Sequence, residues 1–270
     1  MTIQEVLDRI LDYHPAVCHP HSVDGVKFGK TEHSVTGIVT TCCATVGVIR
    51  RAHACGANLI ICHEPVFYTN EDENSWLEGK NEVYEEKKAL LQRYGMTVWR
   101  DHDHIHAHRP DGIREGVMQE LGWQDYLVGE ADRPSRFRLP PRTVRELALE
   151  LKEKLHLNGL RLIGNPDAVV RNVVLAGHIL CEENSNRGIT ELLASDDVDV
   201  LIPGEVIDWT TLAYANDAGQ LGKCKAVLNI GHFNSEELGM KYAAGWISDL
   251  IEGTVPVQFL PSADMYQFLV

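Results

Sequence analysis

No apolar run in this 270-residue chain approaches the roughly 18 residues that a membrane-spanning helix needs. Basic residues are also short: 25 Lys and Arg face 39 Asp and Glu, a net charge of -14 at pH 7. Such a charge repels phosphate backbones and anionic lipid, which counts against nucleic-acid and membrane-surface roles. No secretory pattern opens the chain. Thr2 and Glu5 instead stand in capping-box spacing ahead of an amphipathic helix. The seven cysteines are odd in number and contain no CxxC pair, so no disulfide framework is indicated. Cys42, Cys43 and Cys62 lie inside apolar strand-like runs and read as reduced core residues, which places the chain in the cytoplasm. Neither a P-loop nor a GxGxxG turn is present to cradle phosphate.

What is present is an α/β grammar. Apolar residues make up 44% and charged residues 24%, ordinary for a globular protein with a core. The length suits one large domain or two joined lobes. Short β-branched runs at 37–42, 58–62 and 96–99 predict strands, separated by helical patterns at 46–55 and 81–93 with Gly56 and Gly95 as stops. The Pro- and Arg-rich stretch 133–142 reads as a surface connection. It divides a first lobe, 1–130, from a second, 131–270. After a helix at 143–155 the grammar restarts, with strands at 172–176, 198–202 and 225–230 and helices at 188–195 and 210–219.

The two halves resemble each other. Residues 57–64 lie over 198–205 without a gap, and Val98, His102 and His106 then fall over Leu228, His232 and Glu236. This weak repeat predicts two similar α/β lobes related by a pseudo-two-fold axis and facing each other across a cleft.

Thirteen histidines matter by placement rather than number. In α/β sheets ligands gather at the carboxyl ends of strands, and three histidine–acid stations fall there. His63-Glu64 follows the strand at 58–62, and Pro65 supports a turn that lets both reach one site. The cluster from Asp101 to His108 follows the strand at 96–99. Strand alternation would put His102, His104 and His106 on one side and Asp101 and Asp103 on the other. If the chain leaves the strand after His102, spacing alone does not say which histidines converge. At the third station His232 precedes a helix beginning at Asn234, with Glu236 four residues on, a usual pair for zinc, iron or manganese. The same pair also suits a plain helix start, with the carboxylate favoured by the dipole. Five or six ligands exceed what one tetrahedral ion uses and suit two divalent ions sharing a bridging carboxylate.

These residues carry a family likeness over nearly the whole chain. The chain resembles the Nif-three-like family of dinuclear-metal-centre proteins, some of which bear the name type-two GTP cyclohydrolase I. The likeness runs through Asp24-Gly25-Val26-Lys27-Phe28-Gly29, Val35-Thr36-Gly37-Ile38-Val39, and Gly56 to Pro65, where the family has Gly-Ala-Asp-x-Ile-Ile-x-His-His-Pro. The family's His-Thr-Asn-x-Asp falls on His102 to His106, and its Gly-His-x-x-x-Glu on Gly231-His232 to Glu236. The resemblance implies metal ligands at His63, Glu64, His106, His232 and Glu236, with His102 at the site. Glu64 replaces a family histidine and His106 a family aspartate, exchanges that leave the summed ligand charge unchanged. Glu236 or Glu64 would bridge, since neutral imidazole does not. His178 stands where family members often have a small Gly/Ser-rich stretch. The resemblance further implies a homo-hexameric ring of three dimers, in the short form without an inserted domain.

The leading functional expectation is a metal-dependent hydrolase of a small nucleotide- or pterin-like substrate. In it His104 or Asp103 acts as general base or as an orienting group. The rival is a non-catalytic regulatory or chaperone-like metal-binding ring.

Overall fold

Four-residue β-branched runs set the frame, because each is too short for a helix and apolar on both sides. A computed structural model describes residues 1–17, 21–130, 134–178 and 183–269, with the backbone alone over 183–186. The chain forms two compact units: Met1–Gly116 with Gly239–Ser262, and Val117–Leu238 with Ala263–Val270.

In the first unit, α1 (Ile3–Tyr13), β1 (Gly25–Phe28), β2 (Ile38–Thr41), α2 (Val46–Ala54), β3 (Leu59–Cys62), α3 (Glu82–Arg93), β4 (Thr97–Arg100) and the single turn α4 (Asp103–His106) follow one another. The Thr2–Glu5 capping box opens α1 as its spacing predicts. Strands β2, β3 and β4 are parallel neighbours, and β1 closes the edge antiparallel to β4. Val39, Ile60 and Val98 from these strands pack with Val48, Ile49, Tyr84 and Leu91 of the two helices. All residues of β2, β3 and β4 are buried, as parallel strands covered on both faces require.

The second unit contains β5 (Leu127–Val128), β6 (Ser135–Thr143), α6 (Val144–Lys154), β7 (Arg161–Ile163), β8 (Val169–Gly177), α7 (Glu183–Ala194), β9 (Val200–Pro203), α8 (Thr211–Gln220) and β10 (Ala226–Asn229). Two further helices, α5 (Gly112–Leu121) and α9 (His232–Leu250), include the unit boundaries at 116/117 and 238/239. Here β8, β9 and β10 are parallel neighbours and β7 closes the edge antiparallel to β10. Each unit thus shows the same four-strand pattern, which is the repeat seen in the sequence. Strands β3 and β9 occupy the aligned positions 59–62 and 200–203 residue for residue.

The units are not the contiguous halves 1–130 and 131–270. The last strand, β11 (Val257–Phe259), pairs parallel with β2 and so returns residues 239–262 to the first unit. Residue 131, like Arg133 of the Pro- and Arg-rich stretch, lies outside the described residues.

The rest of that stretch is a correction: it is not a surface connection but strand β6, paired antiparallel with β8. Its prolines mislead because they fall at a register shift between Arg138 and Arg142, where the ladder is already interrupted. On either side of the arginines, Ser135, Phe137 and Leu139 alternate into the core. Phe137 packs edge-on against Trp123 with ring centroids 5.3 Å apart. Truncating Phe137 to Ala should therefore cost about 3–5 kcal/mol in urea denaturation, while Arg138→Ala stays within about 0.5 kcal/mol. A neutral Phe137→Ala would contradict burial of this strand.

Candidate metal centre

The carboxyl ends of β3 and β4 deliver the first cluster. His63 immediately follows β3 and is fully buried. Beyond β4 the chain does not continue extended. Asp103–His106 forms one helical turn, so His102 and His106 come onto one face, and His104 turns elsewhere. Strand alternation through the three histidines is thereby overturned. The cause is Asp24, whose carboxylate accepts from the backbone N–H groups of His102, Asp103 and His104 at 2.6, 2.9 and 2.8 Å. It thus gathers the donors at the start of the turn. Burial pushes the Asp24 carboxyl up, yet these bonds and the one to the His104 ring hold it below the ordinary value.

His63, His102 and His106 each offer a ring nitrogen, all within 4.8 Å of one another. The rings of His63 and His102 are stacked with centroids 4.6 Å apart, and His106 stands edge-on to both at 4.9 Å. Behind the cluster every Nδ1 meets an acceptor. His63 Nδ1–H donates to the Asp101 carbonyl at 3.0 Å, His102 to Asp103 at 2.9 Å, and His106 to Asp111 at 2.8 Å. A carbonyl accepts and cannot donate, so Nδ1 of His63 carries the proton and Nε2 carries the lone pair. The same tautomer follows at the other two, where the partners are carboxylates. Imidazoles backed in this way have the usual build of a divalent-metal site.

The acceptors are themselves fixed. Asp111 also receives the N–H groups of Ile113 and Arg114 at the start of α5. The Asp101 carboxylate lies 3.1 Å from Nε2 of buried His14, whose Nδ1 is 2.7 Å from His108. Burial pushes the Asp103 carboxyl up, but the His102 bond and the Val23 N–H outweigh it and bring it down to about 2. Burial, then the neighbouring imidazoles His63 and His106, depress His102 to about 4, so it is neutral at pH 7.

Glu64 is buried but is not a member of this trio; its carboxylate lies 3.8 Å from Nη2 of the equally buried Arg100. Asp103 orients His102, as the sequence reading allows. His104 points its Nδ1 at Asp24, 2.5 Å away, and its ring centroid is 5.9 Å from that of His14.

The second unit holds another cluster at the ends of β8 and β10. His232 is the first residue of α9 rather than the residue before it, and Glu236 lies one turn on, almost wholly buried. His232 Nε2 is 3.4 Å from Glu236, and its Nδ1 is 3.3 Å from Glu205. His178, just beyond β8, completes the cluster: its ring stacks on His232 at 3.8 Å, and its Nε2 is 3.2 Å from Glu236. The site reading of the sequence omits His178, although it follows the strand at 172–176 as the other stations follow theirs.

Residues 1–264 match the family model described as Duf34/NIF3 (NGG1p interacting factor 3). The chain belongs to this family. Among Duf34/NIF3 relatives, a Clostridium acetobutylicum protein named GTP cyclohydrolase 1 type 2 homolog is 26% identical over 226 residues, 78% of this chain and 76% of that one. The crystal structure of Staphylococcus aureus hypothetical protein SA1388 superposes with a TM-score of 0.73 at 16% identity, covering 100% of this chain and 99% of that one. A Bacillus cereus protein related to NIF3 gives 0.71 at 14% identity, with the same coverage. These structures establish a shared fold.

Because His102 is depressed in the folded state, the unfolded chain binds more protons between about pH 6.5 and pH 4. Stability of the metal-free protein should accordingly fall as pH drops through that window, by on the order of 2 kcal/mol after solvent screening. The Asp103 contribution is present above its ordinary value and is lost only below that window, toward pH 2. Urea midpoints at pH 7.5, 5.5 and 4.5 check this: His102→Gln should flatten the slope, and an unchanged slope would contradict it.

Proposed function

We propose that this Duf34/NIF3 chain is a divalent-metal-binding protein with a two-ion centre and acts as a hydrolase on a small nucleotide- or pterin-like substrate. The observation that carries the reading is the trio His63, His102 and His106, each with Nδ1 engaged by an acceptor and with one ring nitrogen of each within 4.8 Å of the others. His232 and Glu236 hold the second ion, in keeping with the family resemblance. Divalent ions held there would supply Lewis-acid polarisation of a substrate oxygen and acidification of water.

The chain's own residues do the rest. Asp103 and Asp111 keep the imidazoles oriented with their lone pairs forward. Burial of His63 and Glu236 keeps competing water from these ligands. His104, backed by Asp24, is the proton-handling group of this reading. The substrate class rests on the name of the C. acetobutylicum relative and on the family resemblance. A homo-hexamer in the cytoplasm is part of the same reading; among the described residues no helix is long and apolar enough to cross a membrane.

Elemental analysis of the purified full chain should find close to two transition-metal ions per chain. His63→Ala with His106→Ala should remove about one, and His232→Ala with Glu236→Ala about the other. Unchanged content in both double variants would sink the reading. The metal-loaded protein, screened against nucleoside triphosphates, pterins and phosphoesters, should show turnover that the Glu236→Ala variant lacks. Turnover equal in the two would trace to a contaminant, and none on any class would favour the regulatory ring.

A further inference from the structure

The internal repeat places His102 over His232 and His106 over Glu236, but the third position breaks it. His63, at the end of β3, falls over Gly204, at the end of β9, and glycine offers no ligand. The neighbouring strand ends show the reverse exchange. The pairing registers put Gly177 beside Pro203 as Thr41 is beside Cys62, so that Cys42 beyond β2 corresponds to His178 beyond β8. In the first unit the imidazole comes from β3 and the β2 end is small. In the second the imidazole comes from β8, and the β9 end has no side chain at all.

The glycine is what makes the exchange possible. A Cβ added at Gly204 would lie 2.8 Å from Nδ1 and Cε1 of His178 and 2.6 Å from Oγ of Ser235. Both approaches are closer than packed atoms tolerate, so the ring of His178 occupies the space a side chain at 204 would fill. The result has the first cluster's geometry. His178 stacks on His232 with planes 17° apart, as His63 stacks on His102 at 22°. One ligand atom each from His178, His232 and Glu236 again lie within 4.8 Å of one another. Among the described residues the buried Nδ1 of His178 meets no hydrogen-bond partner, so no acceptor commits this ring to a structural bond on that side.

We infer that His178 is a metal ligand, and that with His232 and Glu236 it makes the second unit a self-sufficient site for a divalent transition-metal ion. This rests on the two-ion reading above and deepens it. The two sites then differ in kind. The first presents three neutral imidazoles, a set used for zinc. The second presents two imidazoles and one carboxylate, a set that takes zinc or ferrous iron. The carboxylate makes the second site the better home for a harder ion such as ferrous iron or manganese, so the two positions load separately.

The test is a titration of the metal-free full chain with Zn(II) against a chromophoric chelator, repeated with Co(II) to read the ligand field. The native chain should show two separable steps. His178→Ala should weaken one step by more than about 100-fold, beyond the roughly 10–100-fold that loss of an orienting partner costs. It should leave the other step in place and alter the Co(II) absorption of the weakened site alone. His178→Gln, which keeps a hydrogen-bond donor toward Glu236, should not restore the step. Gly204→Ala, which removes no ligand, should weaken the same step by crowding the ring, and it serves if His178→Ala fails to fold. Two unchanged steps in His178→Ala, or full recovery in His178→Gln, would overturn the assignment. If the native chain takes up no Zn(II), or if His232→Ala with Glu236→Ala leaves both steps intact, the two-ion reading itself fails.

Discussion

An acceptor stands behind every imidazole of the first cluster, and the architecture of that unit serves to hold those acceptors in place. The Asp101 carbonyl, the Asp103 carboxylate and the Asp111 carboxylate each take one Nδ1–H. Free imidazole exchanges its proton between two nitrogens and rotates about two bonds. Fixing Nδ1 removes both freedoms before any ligand arrives. Asp24 extends the constraint by one layer, since the turn that brings His102 and His106 together starts on its carboxylate. Burial contributes too: with His102 depressed to about 4, protons do not compete with a metal for its nitrogen near neutrality.

Much of this was legible in the sequence, for identifiable reasons. Four-residue runs such as Leu59–Cys62 and Val200–Pro203 are continuous apolar stretches bounded by turn residues, and a buried parallel strand leaves that trace. The Thr2–Glu5 pair is a complete capping box, because an Ncap hydroxyl and an N3 carboxylate satisfy each other's backbone locally. The stations at His63, His102 and His232 follow from the rule that parallel strands point their carboxyl ends at the ligand.

What was not legible depends on contacts far along the chain. Strand β6 hides behind Pro140 and Pro141, which a local reading takes as loop, although β8 tolerates them at a register shift. Whether Asp103–His106 continues the strand stays open in the sequence, because the carboxylate that curls it is about 80 residues away. His178 escapes for a related reason. Its neighbours Gly204 and Glu236 lie beyond another strand and on a helix, and only the registers of β8 and β9 reveal that the imidazole stands at the end of the neighbouring strand. The return of Val257–Phe259 to the first sheet likewise depends on tertiary pairing that periodicity does not encode.

Two candidate ligand sets, one in each unit, are built by the same parallel-strand pattern from different residues, and the proposal is that each holds one ion. Anomalous diffraction at the zinc edge, from crystals of the zinc-loaded chain, tests it most directly. It predicts two peaks per chain, one within bonding distance of Nε2 of His63, His102 and His106, the other within bonding distance of His178, His232 and Glu236. A single peak, or peaks ligated by other residues, would contradict it.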